Sequence, residues 1–477
     1  MSQATRTRAL ALTLLLAAST AHAQPSADPI ALPEPDGGAE PTGEGATETE
    51  GAAETEESTG APAATATLEP AAAEEATEEE DESLLPEGEE LQMGPHTIGN
   101  DRVRFTPGSG LDLRSDDGAF RLQTRVRGQF LYALNDESGS LQHQLTARRV
   151  RIAFSGNFFG EANRFKLELA ISPSDDGIRD NIASSSPRNT PLLDLYFEFR
   201  QIRDFNVRVG QYKLPSNRQR VISSGDMQMV DRAIMNNEFT LDRDLAIDAR
   251  SGDFLGLGLL RYAAGVSIGR GRDSTGFEDF DFHYFARVEV LPFGMFEDYE
   301  ESDFERTRAP RLSIGAMYSF QHNAIGLNRQ TSNLPADGGT TNYHLFIADA
   351  IFKYAGFSAQ WELALRTGER NPGGAVDDMG VPLPVTDPRN GLGTMLQAGY
   401  LLPGRRIEFS GRYGAIRHLG IGGASSIADA SELGVGFSYY VAQHPFKIQL
   451  DYFRLWDGPG SLDSGANQFR IQLQGSI

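Results

Sequence analysis

Residues Phe120–Leu134 read FRLQTRVRGQFLYAL, and two chemically different faces alternate through them. Phe120, Leu122, Thr124, Val126, Gly128, Phe130, Tyr132 and Leu134 share one face; Arg121, Gln123, Arg125, Arg127 and Gln129 share the other. A period of two is the signature of a β-strand with one apolar and one wet side. The end of the chain repeats it, with Phe469, Ile471 and Leu473 set against Gln468, Arg470, Gln472 and Gln474. Between these limits the same alternation recurs, for example at Val150/Ile152/Phe154, Leu195/Phe197/Phe199, Tyr284/Ala286/Val288/Val290, Trp361/Leu363/Leu365 and Phe446/Ile448/Leu450/Tyr452.

A water-soluble β-sandwich would alternate as well, so two further features decide. The polar faces cluster charge, and the apolar faces are rich in Phe and Tyr near strand ends, as lipid outside and water inside require. The connections also alternate in length. Long ones fall at 135–144, 172–191, 213–244, 270–281, 321–342, 368–393, 416–431 and 456–467. Short ones include Phe159–Asn163, Gln201–Asp204, Ala355-Gly356, Pro403-Gly404 and Gln443–Pro445. One connection, 292–309, is long and acidic where a short turn is expected. The reading is an all-β chain: a transmembrane antiparallel β-barrel of about 16 strands over residues 119–477. Closure follows because unpaired strand edges cannot stay in lipid.

The segment before the barrel has its own character. Of 66 Asp and Glu in the 477-residue chain, 21 lie in residues 1–90, with only Arg6 and Arg8 as bases, so the net charge of −23 belongs mainly to this segment. Arg6 and Arg8, the apolar run Ala9–Ala18 and Ala21-His22-Ala23 make a secretory signal peptide over residues 1–23. Residues 24–90 are an acidic low-complexity linker, expected to be disordered, because they bury little and repel one another. Residues 91–118 form a short periplasmic lead-in. Cysteine is absent, which excludes disulfides, cysteine nucleophiles and thiolate metal sites.

Several stretches resemble the phosphate-selective porins O and P of Gram-negative outer membranes. They are Phe120–Phe130, Ala147–Gly160 (ARRVRIAFSGNFFG), Asp194–Pro215 (DLYFEFRQIRDFNVRVGQYKLP), Gln397–Ala415 and Gly434–Leu455. The resemblance spans about residues 100–477. It implies a 16-stranded barrel in the cell outer membrane, a homotrimer, and a third external loop, here 213–244, folded inward as a constriction. It also implies outer-membrane lipid, lipopolysaccharide and the barrel-assembly machinery as partners. The solutes it implies are small anions, phosphate among them, and there is no cofactor. The chain departs from the family pattern in lacking a lysine cluster at the narrow zone, where only Lys213 stands. It also ends on Ile477, in the outward phase, rather than on an aromatic residue.

Inward faces taken from the alternation place nineteen Arg and Lys residues in the lumen against ten Asp and Glu. A water-filled pore so lined favours anions, and guanidinium forks suit phosphate and carboxylate. The anion-binding candidates are Arg121, Arg125, Arg127, Arg149, Arg151, Arg208, Arg287 and Arg412; Lys213, Arg218, Arg220, Arg232 and Arg243 are the candidates at the constriction. Cross-strand Arg/Glu pairs that merely brace the wall are the competing reading. A second functional reading is a structural barrel that tethers the acidic segment in the periplasm and conducts little or nothing. An enzyme is not expected: there is no G-x-S-x-G or H-E-x-x-H, and no Ser–His pair is assignable from sequence. Asp175-Asp176-Gly177 and Asp377-Asp378 read as solvated turns rather than metal ligands. No compact basic surface with interleaved aromatics suggests nucleic acid.

Overall fold

The computed structural model describes residues 98–99 and 102–477, apart from 138, 173–174, 176–190, 273–280, 327–334, 421–423 and 461–464. The signal peptide and the acidic linker lie outside the described residues. Three lead-in strands, β1 (Ile98–Gly99), β2 (Val103–Thr106) and β3 (Gly110–Arg114), precede the barrel. The barrel strands are β4 (Arg121–Glu137), β5 (Ser140–Asn157), β6 (Asn163–Ala170), β7 (Leu192–Phe199), β8 (Asn206–Lys213), β9 (Arg243–Ser251), β10 (Leu260–Ser267) and β11 (His283–Val290). They continue with β12 (Arg311–Ala324), β13 (Thr340–Tyr354), β14 (Phe357–Asn371), β15 (Gly391–Leu401), β16 (Ile407–His418), β17 (Ala430–Ala442), β18 (Phe446–Asp457) and β19 (Gly465–Ser476). Each pairs antiparallel with its sequence neighbours, and β19 pairs with β4 from Ala466↔Glu137 to Ser476↔Arg127, so the sheet of β4–β19 closes with sixteen strands.

Closure leaves no edge in lipid, and the pleat sends alternate side chains inward and outward. Outward residues such as Phe130, Leu396, Phe409 and Val435 are exposed, while inward neighbours such as Gln129, Gln397 and Glu408 are buried. The last residue completes the seam: Ile477 exchanges backbone hydrogen bonds with Val126 (2.8 and 2.9 Å). Its side chain is 61% exposed, in the outward phase. Below that point β3 takes over the edge of β4, pairing Leu111↔Thr124 through Arg114↔Arg121. Gly110 sits at φ +85°, and a Cβ there would fall 1.9 Å from the Thr124 carbonyl oxygen, so this approach demands glycine.

The lead-in carries its own ionic clamp. Asp112 accepts from Arg114 (2.8 Å) and from both Nε and Nη2 of Arg121 (2.9 Å each). Burial alone would raise its pKa; the hydrogen bonds and charges of the two guanidiniums outweigh it and hold the carboxyl at about 2. A depressed carboxyl stabilises above its ordinary value of 3.8 and loses that contribution as pH falls through about 2. Amide protection of residues 103–114 is therefore expected to drop between pH 4 and pH 2 in hydrogen exchange while the barrel strands keep theirs. Asp112→Asn is expected to remove the pH response and leave the lead-in exchanging fast throughout.

Two features depart from the sequence expectation. The loop expected at 135–144 is instead mostly strand: β4 runs to Glu137 and β5 starts at Ser140, with Gly139 between them at φ +85°. Strands that continue into water need no apolar outer face, so the alternation fades there while the ladder goes on. The long connection between β11 and β12 is not a turn in solution. Residues 291–310 bend inward, with Asp298 and residues 301–304 buried and 292–293 and 308–310 exposed. The wall is also uneven: β6–β11 are 8 or 9 residues long, against 11–18 for the other barrel strands.

Candidate functional site

Residues 214–242 leave β8 and run inside the barrel, with two short helical turns, α1 (Arg218–Val221) and α2 (Met235–Phe239). The lumen is not polar all round, and this is why the segment stays. Met317, Leu345, Ile347, Ala364 and Met395 point inward from β12–β15 and form one buried cluster with Leu214, Met235, Phe239 and Leu241 of the inserted segment. Burial of such side chains is worth ~1.5–3 kcal/mol each. The signal was present in sequence as runs apolar in both phases, such as Phe346-Ile347-Ala348.

Charge fastens the segment at its centre. Arg218 is completely buried and spends its whole fork. Nε donates to Asp349 (3.0 Å), Nη1 to Asp298 (2.8 Å), and Nη2 to Ser313 (2.8 Å) and Glu289 (3.3 Å). Arg287 lies beside it, bonded to both oxygens of Asp349 (2.6 and 2.9 Å) and to Glu289 (2.8 Å). Glu362 accepts from Asn217 at 2.8 Å, and Arg412 donates to the Asp231 carbonyl at 2.8 Å. Arg218, Arg287 and Arg412 thus lie in or beneath the inserted segment rather than on open water, although the inward phase read for the latter two holds. Arg149 and Arg148 hold Asp231 of the segment against β5 (3.3 and 2.9 Å). Arg220 pairs with Asp242 within the segment, and Arg232 donates to the carbonyls of Gln219 and Ile222 (2.8 and 2.7 Å). Lys213 and Arg243 belong to the strand ends that frame the segment.

The open space lies on the other side, along β4–β9. A cavity of about 620 Å³ is lined by Arg114, Arg121, Arg125, Arg164, Lys166, Arg200 and Arg208 as bases and by Glu161 and Glu198 as acids. Gly118 and Asn157 place it at the short-turn end. It shares Arg125, Lys166, Tyr196 and Arg208 with a narrower cavity of about 190 Å³, to which Arg127, Arg151, Lys213, Arg243, Glu168 and Asp194 also contribute. Together the two are lined by eleven bases and four acids. The acids are heavily shared. Asp194 takes Lys166 (2.8 Å) and Arg243 (2.6 Å), Glu168 takes Lys166 (2.6 Å) and Arg151 (3.0 Å), and Glu198 takes Arg208 and Arg200. Arg151 is further bound by Asp175 (2.5 Å).

Three cations in the passage have no carboxylate within 4 Å among the described residues. Arg125 is exposed, and its side chain makes no hydrogen bond among the described residues. Arg127 donates to the hydroxyls of Ser223 and Ser224 (2.8 and 3.0 Å), while its Nε is buried with no acceptor. The ammonium of Lys213 reaches only the Arg220 carbonyl, at 3.1 Å. Of the sequence candidates, the structure brings Arg121, Arg125, Arg127, Arg151, Arg208, Lys213 and Arg243 to this passage. It adds Arg114, Arg164, Lys166 and Arg200 to them.

A serine and a histidine also meet. The Ser267 hydroxyl stands 3.0 Å from His283 Nδ1 and donates to Asp244 at 2.8 Å. All three are buried, and the hydroxyl proton points to the carboxylate rather than to the imidazole, so nothing orients the oxygen as a nucleophile. Among the described residues no group of His, Asp and Glu is arranged to hold a metal ion.

A closed sixteen-stranded barrel with an inserted loop and a charged water path through its wall side is the architecture of an outer-membrane porin. Residues 120–280 match the family model of the phosphate-selective porins O and P. No curated protein matches the sequence. Among solved structures, the chain is similar to an anion-selective porin from Comamonas acidovorans, at TM-score 0.48 and 12% identity over 75% of this chain and 100% of that one. It is also similar to the outer-membrane channel DcaP of Acinetobacter baumannii, at 0.45 and 12% over 76% and 99%. The outer-membrane protein OprD of Pseudomonas aeruginosa follows, at 0.40 and 9% over 75% and 94%.

Proposed function

We propose that this outer-membrane channel passes small hydrophilic anions, phosphate among them, along the β4–β9 side of its lumen. The observation that carries the reading is the lining of that path: eleven bases to four acids, with Arg125, Arg127 and Lys213 free of carboxylate partners among the described residues. Closely spaced guanidinium forks replace part of an oxyanion's hydration, and a surplus of positive charge repels cations from the same narrow space. Phosphate remains compatible even though only Lys166 and Lys213 represent lysine there. Planar-bilayer recording in a salt gradient tests the reading. The reversal potential is expected on the anion side, and phosphate added to the bath is expected to reduce the chloride current. A reversal potential near zero would reduce the basic lining to wall bracing.

The same reading assigns a trimer, with the low wall of β6–β11 at the contact between copies. A strand of 8 residues tilted by ~45° rises only ~19 Å, short of the ~25 Å apolar band that lipid requires. The barrel-assembly machinery, lipopolysaccharide and a periplasmic N-terminal segment belong to this proposal as well. A barrel that tethers its acidic segment and conducts nothing is the second reading, favoured by how much of the lumen residues 214–242 and 291–310 fill. Zero current through reconstituted, folded protein would select it.

A further inference from the structure

We propose that residues 291–310, the connection between β11 and β12 at the short-turn end, are a second constriction element. By covering the charge-balanced β10–β17 half of the barrel they confine solutes to the basic half. The proposal rests on the anion path described above and adds what confines solutes to it.

The segment crosses the lumen rather than lining it. Asp298 meets Arg218 of the inserted loop and Arg261 of β10, each at 2.8 Å. Further along, Glu301 accepts from the Gln228 amide of the loop (2.8 Å) and from Gln397 of β15 (2.7 Å). Its own amide donates to the Asp226 carbonyl at 3.0 Å. Ser302 donates to Glu408 of β16 at 2.8 Å, and Phe304 stacks edge-on against Tyr440 of β17, ring centroids 4.8 Å apart. From β13, Lys353 donates to the carbonyls of Glu297 and Ser302 (2.6 and 2.8 Å). Five of the eight strands from β10 to β17 are therefore tied to one segment from below, while the inserted loop meets it from above.

What lies under this double cover is mixed in charge, with Arg287, Lys353, Arg366 and Arg412 buried among the acids. Glu289, Asp349, Glu362 and Glu408 all point inward, and each is nearly or fully buried. In an uncovered barrel these acids, with the bases among them, would face water beside the basic path and open a second, charge-balanced route. Covered, they are neutralised locally by Arg218, Arg287, amides and hydroxyls, and no solute passes them. Selectivity here is thus a matter of which half of a mixed-charge wall is left open, not of the total charge in the lumen.

The test is full-length protein in which residues 295–304 are replaced by a short Gly-Ser turn, compared with wild type in the same salt gradient. Heat-modifiable migration in gels checks that the barrel is closed. Conductance is expected to rise by roughly twofold or more, and the anion bias to fall, as the charge-balanced wall becomes a second path that dilutes the basic one. A folded deletion barrel with unchanged conductance and reversal potential overturns the proposal. A wild type without anion bias whose deletion variant still conducts more would overturn the anion reading and leave the constriction standing. Should the deletion prevent insertion, Ser302→Ala with Phe304→Ala loosens the same anchor without altering charge. Raised conductance in that double variant supports the proposal, and an unaltered trace rejects it.

Discussion

Arg218→Ala is expected to release the inserted segment from the barrel and to convert a narrow, steady conductance into a larger, fluctuating one. The guanidinium serves three carboxylates at once, Asp349, Asp298 and Glu289, in a place closed to water. Breaking a buried pair by removing one partner costs ~3–5 kcal/mol, because the surviving charges stay desolvated. Here those carboxylates keep only Arg287 and Arg261. They gain solvation by pushing the segment off. A loop whose docking weakens by that amount shifts its docked fraction by a factor of ~100 or more. Single-channel traces and protease cleavage within 214–242 check the result. Arg218→Lys is expected to fail almost as badly, since one ammonium cannot supply the fork that three acids and Ser313 use. Steady wild-type-like current in Arg218→Ala would mean that the apolar cluster around Phe239 and Leu345 holds the segment alone.

Removing the unpaired cations should produce the second large change. Arg125→Gln, Arg127→Gln and Lys213→Gln together take three positive charges from the narrow passage without leaving a partner acid stranded. The fold is expected to be nearly unaffected. Eleven bases become eight against the same four acids, and those eight are the ones already engaged with Glu168, Asp194, Glu198, Asp112 or neighbouring backbone. Anion-to-cation permeability is expected to fall by about tenfold, equivalent to ~1.4 kcal/mol in the relative barrier, and block by phosphate to weaken at least as much. Arg287→Gln is the contrast. It sits in the same inward phase but under the inserted segment, so it should damage stability and leave the permeability ratio alone until the barrel opens. A permeability ratio unmoved by the triple variant would reassign the basic lining to bracing.

These two predictions mark where sequence reading succeeds and where it stops. The inward phase of Arg125 and Arg127 was legible because strand alternation is local: each side chain's direction follows from its neighbours along the chain. Lys213 stood out by spacing, at the end of a strand before the longest insertion. Arg287 and Arg412 were legible to the same degree, yet both are covered. Nothing local distinguishes them from Arg125; the difference is what lies on top of them. The pairings that matter link distant positions, such as Arg218 with Asp349 and Gln228 with Glu408. A count of lumenal charges therefore described the wall correctly and still missed that only part of it lines open space.

By itself, then, the chain's sequence determined a closed all-β barrel, its sixteen strands and the inward or outward face of most of their residues. The physical reason is that a two-residue period and the ban on open edges in lipid leave one solution. The tertiary structure decided which half of the lumen is open. That depends on the inward packing of 214–242 on an apolar stripe and on 291–310 crossing beneath it. Both rest on long-range burial and on ion pairs formed only once the wall has closed.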